Sequence, residues 1–303
     1  MAFNIPNQTS YVLQRPVNPY SAWTRQADWI TITDTAGEVQ FLTSNLAGSA
    51  YTITTTFTQT GGIGNIYIDW GDGTTDTIST IAATSTSHTY TTSGTPCSLG
   101  YDTYKVRVYG DAGTRITQAR MGIAHPIQLT FGVLEAYYGD NTILTAKDLF
   151  SNNINNSAGR YPLLEYVKLP SVMFGGGALT LQASFFGCPS LAKVIMPVSC
   201  SNATDFTYTF ISCPNLQEIT LPTTVGASIS MASTFSGCRN LSKVTIPSGW
   251  NLTSLQNTFN TCVSLNQVIL PNNAQDNLTT INGMCNGCFN LKSIVMPNIV
   301  KYL

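Results

Sequence analysis

Charge is what this sequence has least of. Its 14 Lys and Arg and 15 Asp and Glu amount to 10% of 303 residues, against about 25% in an ordinary soluble domain. The net charge is −1 and no basic block occurs. The electrostatic attraction behind nucleic-acid binding therefore has no source, and nucleic acid is not an expected partner. No run of about 18 apolar residues is present, so no helix inserted in a membrane is expected. Histidine is confined to His88 and His125, and neither stands in a serine or cysteine nucleophile signature. Neither G-x-S-x-G nor the phosphate-binding loop occurs. Gly62-Ile63-Gly64 would need a third glycine where Tyr67 stands, which removes the dinucleotide loop. Acidic residues are sparse and mostly in turns, and no pair stands out as acid and base for glycoside cleavage. An enzyme is not expected, nor a cofactor. Met1 to Gln8 show neither the basic nor the apolar segment of a secretory leader. The expectation is a chain made in a cytoplasm that stays there or leaves by lysis or assembly.

What fills the space is apolar and uncharged polar. Hydrophobic residues reach 43%, enough for a real core, and Thr, Ser and Asn crowd the positions where Lys and Glu would normally sit. Such a surface suits strands and lateral contacts better than solvated helices.

Five segments repeat in register: Phe185 to Leu191, Phe210 to Leu216, Phe235 to Leu241, Phe259 to Leu265 and Cys285 to Leu291. Each carries a cysteine at the same place, with steps of 25, 25, 24 and 26 residues from Cys188 through Cys213, Cys238 and Cys262 to Cys288. Each runs into a short strand-like stretch closed by Pro197, Pro222, Pro247, Pro271 or Pro297. A degenerate copy precedes them at Leu164 to Pro170, and a weaker one begins near Leu134. One unit cannot bury its apolar face alone, but stacked units make a continuous core with parallel strands hydrogen-bonded coil to coil. Proline, lacking an N–H, ends each strand at a corner.

The pattern, a Phe, a Cys three residues on, then Leu-x-x-Ile-x-Leu-Pro, resembles the BspA-type leucine-rich repeat. The match covers roughly residues 160–297, with an irregular start and an insertion around 152–159. The resemblance implies a leucine-rich-repeat solenoid, assigned here to residues 112–303.

The first third alternates instead. Trp29 to Thr33, Tyr51 to Phe57, Asn65 to Trp70 and Tyr104 to Tyr109 read as half-buried strands separated by Gly, Asp and Ser clusters, the signature of an antiparallel β-sandwich. Trp70-Gly71-Asp72-Gly73-Thr74, His88-Thr89-Tyr90 and Tyr104-Lys105-Val106 resemble the PKD-type immunoglobulin-like domain. The resemblance implies such a sandwich over residues 29–111. Residues 1–28 read as an extended arm in which Tyr11, Tyr20 and Trp23 lie near Pro16 and Pro19. Aromatics on so short a segment seek burial elsewhere, so the arm is expected to dock on a neighbouring subunit or to pack back on its own sandwich.

Four sets of residues invite chemistry. Cys285-Asn286-Gly287-Cys288 has the C-x-x-C spacing of redox and zinc sites. The repeat register puts both cysteines in interior slots, and the structural role is the expected one. The column cysteines are expected to be free thiols. Asp69, Asp72 and Asp76 could offer oxygens to calcium, but their spacing is not that of the EF-hand loop, and capping of turn N–H groups is expected. Last comes a surface: the outward strand positions Tyr166 and Lys168, Lys193 and Ile195, Glu218 and Thr220, Lys243 and Thr245, Gln267 and Ile269, Ser293 and Val295 form a stripe that is either plain solvent face or an interface.

Three functions fit these modules. The first is a structural or receptor-binding protein of a tailed-phage virion, contacting other virion proteins, itself, or a host cell-surface receptor or glycan. The second is a bacterial cell-surface adhesin. The third is a carbohydrate-active enzyme with an accessory sandwich.

Overall fold

A computed structural model describes residues 22–46, 51–60, 64–79, 84–112, 114–123, 132–140, 149–150, 161, 163–173, 179–271 and 277–295. Among them every regular element is a strand. In the N-terminal half these are β1 (Val39–Leu46), β2 (Tyr51–Thr60), β3 (Ile66–Asp69), β4 (Thr75–Ile78), β5 (Thr84–Tyr90), β6 (Thr95–Pro96), β7 (Tyr101–Gly110), β8 (Arg115–Ile123) and β9 (Gly132–Tyr138). The repeats supply β10 (Tyr166–Lys168), β11 (Leu179–Thr180), β12 (Lys193–Ile195), β13 (Ala203–Asp205), β14 (Glu218–Thr220), β15 (Ile229–Ser230), β16 (Lys243–Thr245), β17 (Leu252–Ser254), β18 (Gln267–Ile269) and β19 (Ser293–Val295).

In the N-terminal half, β4-β3-β7-β1 form one antiparallel sheet, with β6 on β7, and β5-β2-β8 form another. Ile66 and Ile68 on β3, and Val106 and Val108 on β7, alternate inward, as strand geometry requires. They share a core with Ile53, Tyr90 and Ile116 of the second sheet.

Two expectations need correcting here. Residues 115–123, assigned to the solenoid by a boundary at 112, pair antiparallel with β2 and belong to the N-terminal half. The two buried residues of Trp29 to Thr33, Trp29 and Ile32, stand three apart rather than alternating, and the segment joins no ladder. Instead it lies over the outer face of the first sheet, where Trp29 and Ile32 pack with Leu42, Tyr101, Leu134 and Leu163. That second core explains why β1, not foreseen as a strand, is buried from Val39 to Asn45 without alternation. Its sheet is covered on both faces.

The two halves have no linker between them. β9 pairs antiparallel with β1, Phe41 opposite Ala136, and parallel with β10, where Ala136 faces Val167. A single sheet thus changes from antiparallel to parallel at β9 and continues through β12 to β14. Aromatic contacts follow the same path. Phe41 meets Tyr138 edge-on at 6.0 Å, Tyr138 meets Phe150 at 6.3 Å, and Phe150 stacks on Phe185 at 5.8 Å.

Four successive coils of the solenoid each contribute two strands, one to the row that begins β10, β12 and β14 and one to the row β11-β13-β15-β17. Among the described residues, the coils of β18 and β19 contribute a strand to the first row alone. The first row resumes as β16-β18-β19. Phe185, Phe210, Phe235 and Phe259 stack at 5.1, 5.5 and 5.8 Å with planes within 3° of parallel. The cysteine column lies beside them. Cys188, Cys213, Cys238 and Cys262 are fully buried, and each thiol donates to a phenylalanine carbonyl of the preceding coil: Phe150, Phe185, Phe210 and Phe235, at 3.4, 3.0, 3.1 and 3.1 Å. A second column of buried hydroxyls does the same work, Thr209, Thr234 and Thr258 donating to Leu181, Phe206 and Met231. Side chains that would otherwise only fill space thereby satisfy buried carbonyls at the coil corners.

Candidate interaction surface

The outward stripe is where the repeats place it. In β12, β16 and β18 the central residue, Val194, Val244 or Val268, is buried, and Lys193, Ile195, Lys243, Thr245, Gln267 and Ile269 flank it on the outer side. Glu218 and Thr220 on β14, and Ser293 and Val295 on β19, are exposed. Neighbouring coils are in register, Lys193 beside Glu218 and Gln267 beside Ser293. The Lys193–Glu218 ion pair, at 3.8 Å with both ends largely solvated, adds little to stability. What the register does is hold side chains from successive coils at the strand spacing of about 4.8 Å.

The upper end of this face is already covered. Trp23 stacks on Tyr166 with centroids 5.2 Å apart, its indole N–H donates to Glu165 at 2.8 Å, and its backbone N–H donates to Gln217 at 2.9 Å. Arg25 grips both oxygens of the fully buried Glu135 carboxylate at 3.0 Å and donates to the carbonyls of Trp29 and Ile30. Lys168 pairs with Asp34. Residues 22–36 are thus a strap across β9 and β10, and Ala22 reaches the groove lined by Ala192, Lys193, Gln217 and Glu218. Trp23, expected on a docking arm, is seated on the solenoid of its own chain rather than on the sandwich. Tyr11 and Tyr20 lie outside the described residues. The sequence held a signal for the strap, the close spacing of Trp23, Arg25 and Trp29. Nothing in it pointed to the acceptors Glu135 and Glu165.

The acidic turn is self-contained. Asp69 accepts from the Gly71 N–H at 3.0 Å. Asp72 accepts from the N–H and hydroxyl of Thr74 at 3.0 and 2.6 Å, and its other oxygen meets His88 Nε2 at 2.8 Å. Asp76 accepts from the Trp70 indole and from Thr86. His88 stacks on Trp70 at 4.7 Å, and Tyr90 donates to the Trp70 carbonyl. The Asp72 carboxyl sits below its ordinary value: burial pushes it up, but hydrogen bonds from Thr74 and His88 and the His88 charge outweigh that. Among the described residues no three His, Cys, Asp or Glu gather as a metal site. His125 lies outside the described residues. Burial raises every column thiol whose shift is resolved, Cys188, Cys238 and Cys262 among them, which suppresses the nucleophilic thiolate.

Stacked coils of this kind, with parallel strands and inward Phe, Cys and Leu ladders, define a leucine-rich-repeat solenoid in a mainly β chain. Residues 153–262 and 181–303 match the BspA type Leucine rich repeat region, in six copies. The repeat half of the chain is a BspA-type leucine-rich-repeat region, and such a region points to a surface or protein–protein interaction role. No curated protein and no solved structure matches the chain.

Proposed function

We propose that this protein catalyses nothing and acts by binding, through the outward strand face of its solenoid, as a component of a tailed-phage virion: capsid decoration, fibre or receptor-binding element. The observation that carries the binding role is the register of that face. Lys193, Ile195, Glu218, Thr220, Lys243, Thr245, Gln267, Ile269 and Val295 are held outward on strands, so a partner meets a nearly rigid, weakly charged array rather than a cleft. The groups best suited to acid–base work, Asp72 in its turn and His88 on β5, are engaged with each other. That turn, with the His88 ring between Trp70 and Tyr90, supports a PKD-type immunoglobulin-like reading of the N-terminal half. Its partners are other virion proteins, a second copy, or a host cell-surface receptor or glycan.

The test is to quantify the protein in purified particles and then to replace Thr220, Thr245 and Ile269 together with Arg. The native chain should be present at constant stoichiometry. The triple variant should fold normally yet lose incorporation or host adsorption at least about tenfold. Absence from particles overturns the virion setting, and recovery on a bacterial outer surface would favour an adhesin. Normal incorporation and adsorption of the variant would overturn the binding face.

A further inference from the structure

The cysteine column changes character at its end. In the upstream coils a turn joins Phe to Cys three residues later, closed by Cys213 N–H to Phe210, Cys238 N–H to Phe235 and Cys262 N–H to Phe259 at 3.3, 3.0 and 3.1 Å. The last coil keeps the same turn, Cys288 N–H donating to Cys285 at 3.2 Å, with Gly287 left-handed at φ 75°. Here, however, a thiol stands at both ends, because Cys285 occupies the phenylalanine slot. Ends of such a turn lie within about 7 Å between Cα atoms, a range that overlaps the span of about 4.4–6.8 Å that a disulfide bridges. Both thiols are half-buried, whereas Cys188, Cys213, Cys238 and Cys262 are sealed. No further coil among the described residues lies over them.

We infer that Cys285 and Cys288 form a disulfide site that a small-molecule disulfide such as oxidised glutathione can close, stapling the terminal coil while the rest of the column stays reduced. The exchange is balanced. The Cys288 thiol gives up its proton and its sulfur attacks one glutathione sulfur, expelling a glutathione thiolate. Cys285 then loses its proton, attacks the Cys288 sulfur and expels the second. The protein loses two protons and two electrons, and the oxidant gains both. The two thiols already interact: burial first, then Cys288, pushes the Cys285 thiol up to about 12. Closure is therefore slow at neutral pH and is best followed in mildly alkaline buffer.

The experiment incubates the folded full-length chain with oxidised glutathione, quenches with acid and maps cysteines by peptide mass spectrometry. The expected product links Cys285 to Cys288 at least about tenfold faster than any bond forms among the four sealed cysteines. Cys285→Phe, which restores the residue of the other coils, should keep the strand circular dichroism and hold a single glutathione on Cys288. A stable glutathione adduct on either cysteine of the native chain overturns the inference, as does a Cys262–Cys288 link. So does a chain whose Cys285 and Cys288 stay free while a control peptide of the same segment oxidises.

Discussion

At Asp72 one carboxylate oxygen closes a turn and the other holds an imidazole. Asp72→Ala should lower stability by about 1 kcal/mol, the worth of the lost turn hydrogen bonds. Calcium should leave the melting temperature of both proteins unchanged, and a calcium-dependent shift confined to the native chain would contradict the capping role. The acid limb follows from sign. A carboxyl held below its ordinary value of 3.8 contributes stability that is complete above that value and disappears as pH falls through the lowered one. Urea midpoints of Asp72→Asn measured across this range should therefore show a shallower acid loss than those of the native chain. Backbone strain is legible at the same scale. Gly187, Gly237 and Gly287 adopt positive φ, and the matching places in the other coils are Ser212 and Thr261, at φ 59° and 58°. Left-handed backbone costs a β-branched residue about 1–2 kcal/mol, which exceeds the extra chain entropy of glycine, about 0.5–1 kcal/mol. Thr261→Gly should thus raise stability by about 0.5 kcal/mol in thermal or urea melts.

Among elements, the ladder of rings Phe185, Phe210, Phe235 and Phe259 is fully buried. Phe210 stacks on a ring above and one below, so Phe210→Ala should cost about 3–5 kcal/mol in equilibrium unfolding. The carbonyl that accepts the Cys238 thiol stays in place. The solenoid was readable in the sequence because one signal is written five times, and each copy checks the others. β1 was not, for a physical reason. Covered on both faces, it shows no period of two, and Gln40, Thr43 and Asn45 are polar residues inside the protein. Trp29 to Thr33 misled in the opposite sense. Its alternating sequence does not carry through to burial: Trp29 and Ile32 are buried while Thr31 and Thr33 are exposed, so the segment rests on the sheet through two side chains without joining a ladder. The outward stripe was legible residue by residue, since strand alternation alone sets it. The strap that covers its upper end was not, because Trp23, Arg25, Glu135 and Glu165 meet across more than a hundred residues of chain.

On the scale of the whole molecule, the strap and β9 make two unlike architectures one body. Arg25 is the partner of a carboxylate with no exposure. Arg25→Ala should therefore cost about 3 kcal/mol by leaving that charge buried, while Arg25→Met combined with Glu135→Leu should recover most of the loss. Denaturation is followed by fluorescence in two variants, one lacking Trp250 and one lacking Trp70, with the emission of Trp23 and Trp29 common to both. The transition of Trp70, inside the N-terminal core, against that of Trp250, inside the solenoid, checks the corollary. One continuous core predicts coincident transitions, and two well-separated ones would show that the seam does not couple the halves.

The seam also imposes an order in time. β1 is held between β7 and β9, and β9 is made long after it. On a ribosome adding about 5–20 residues per second, β1 waits roughly 5–20 s for its second neighbour. Through that interval it offers an open edge to any passing strand. The strap waits longer still, since Trp23 needs Glu165 and Gln217 before it can settle. Among the described residues, those translated first are thus among those that fold last. A nascent chain stalled before Gly132 should be the most aggregation-prone species in its synthesis.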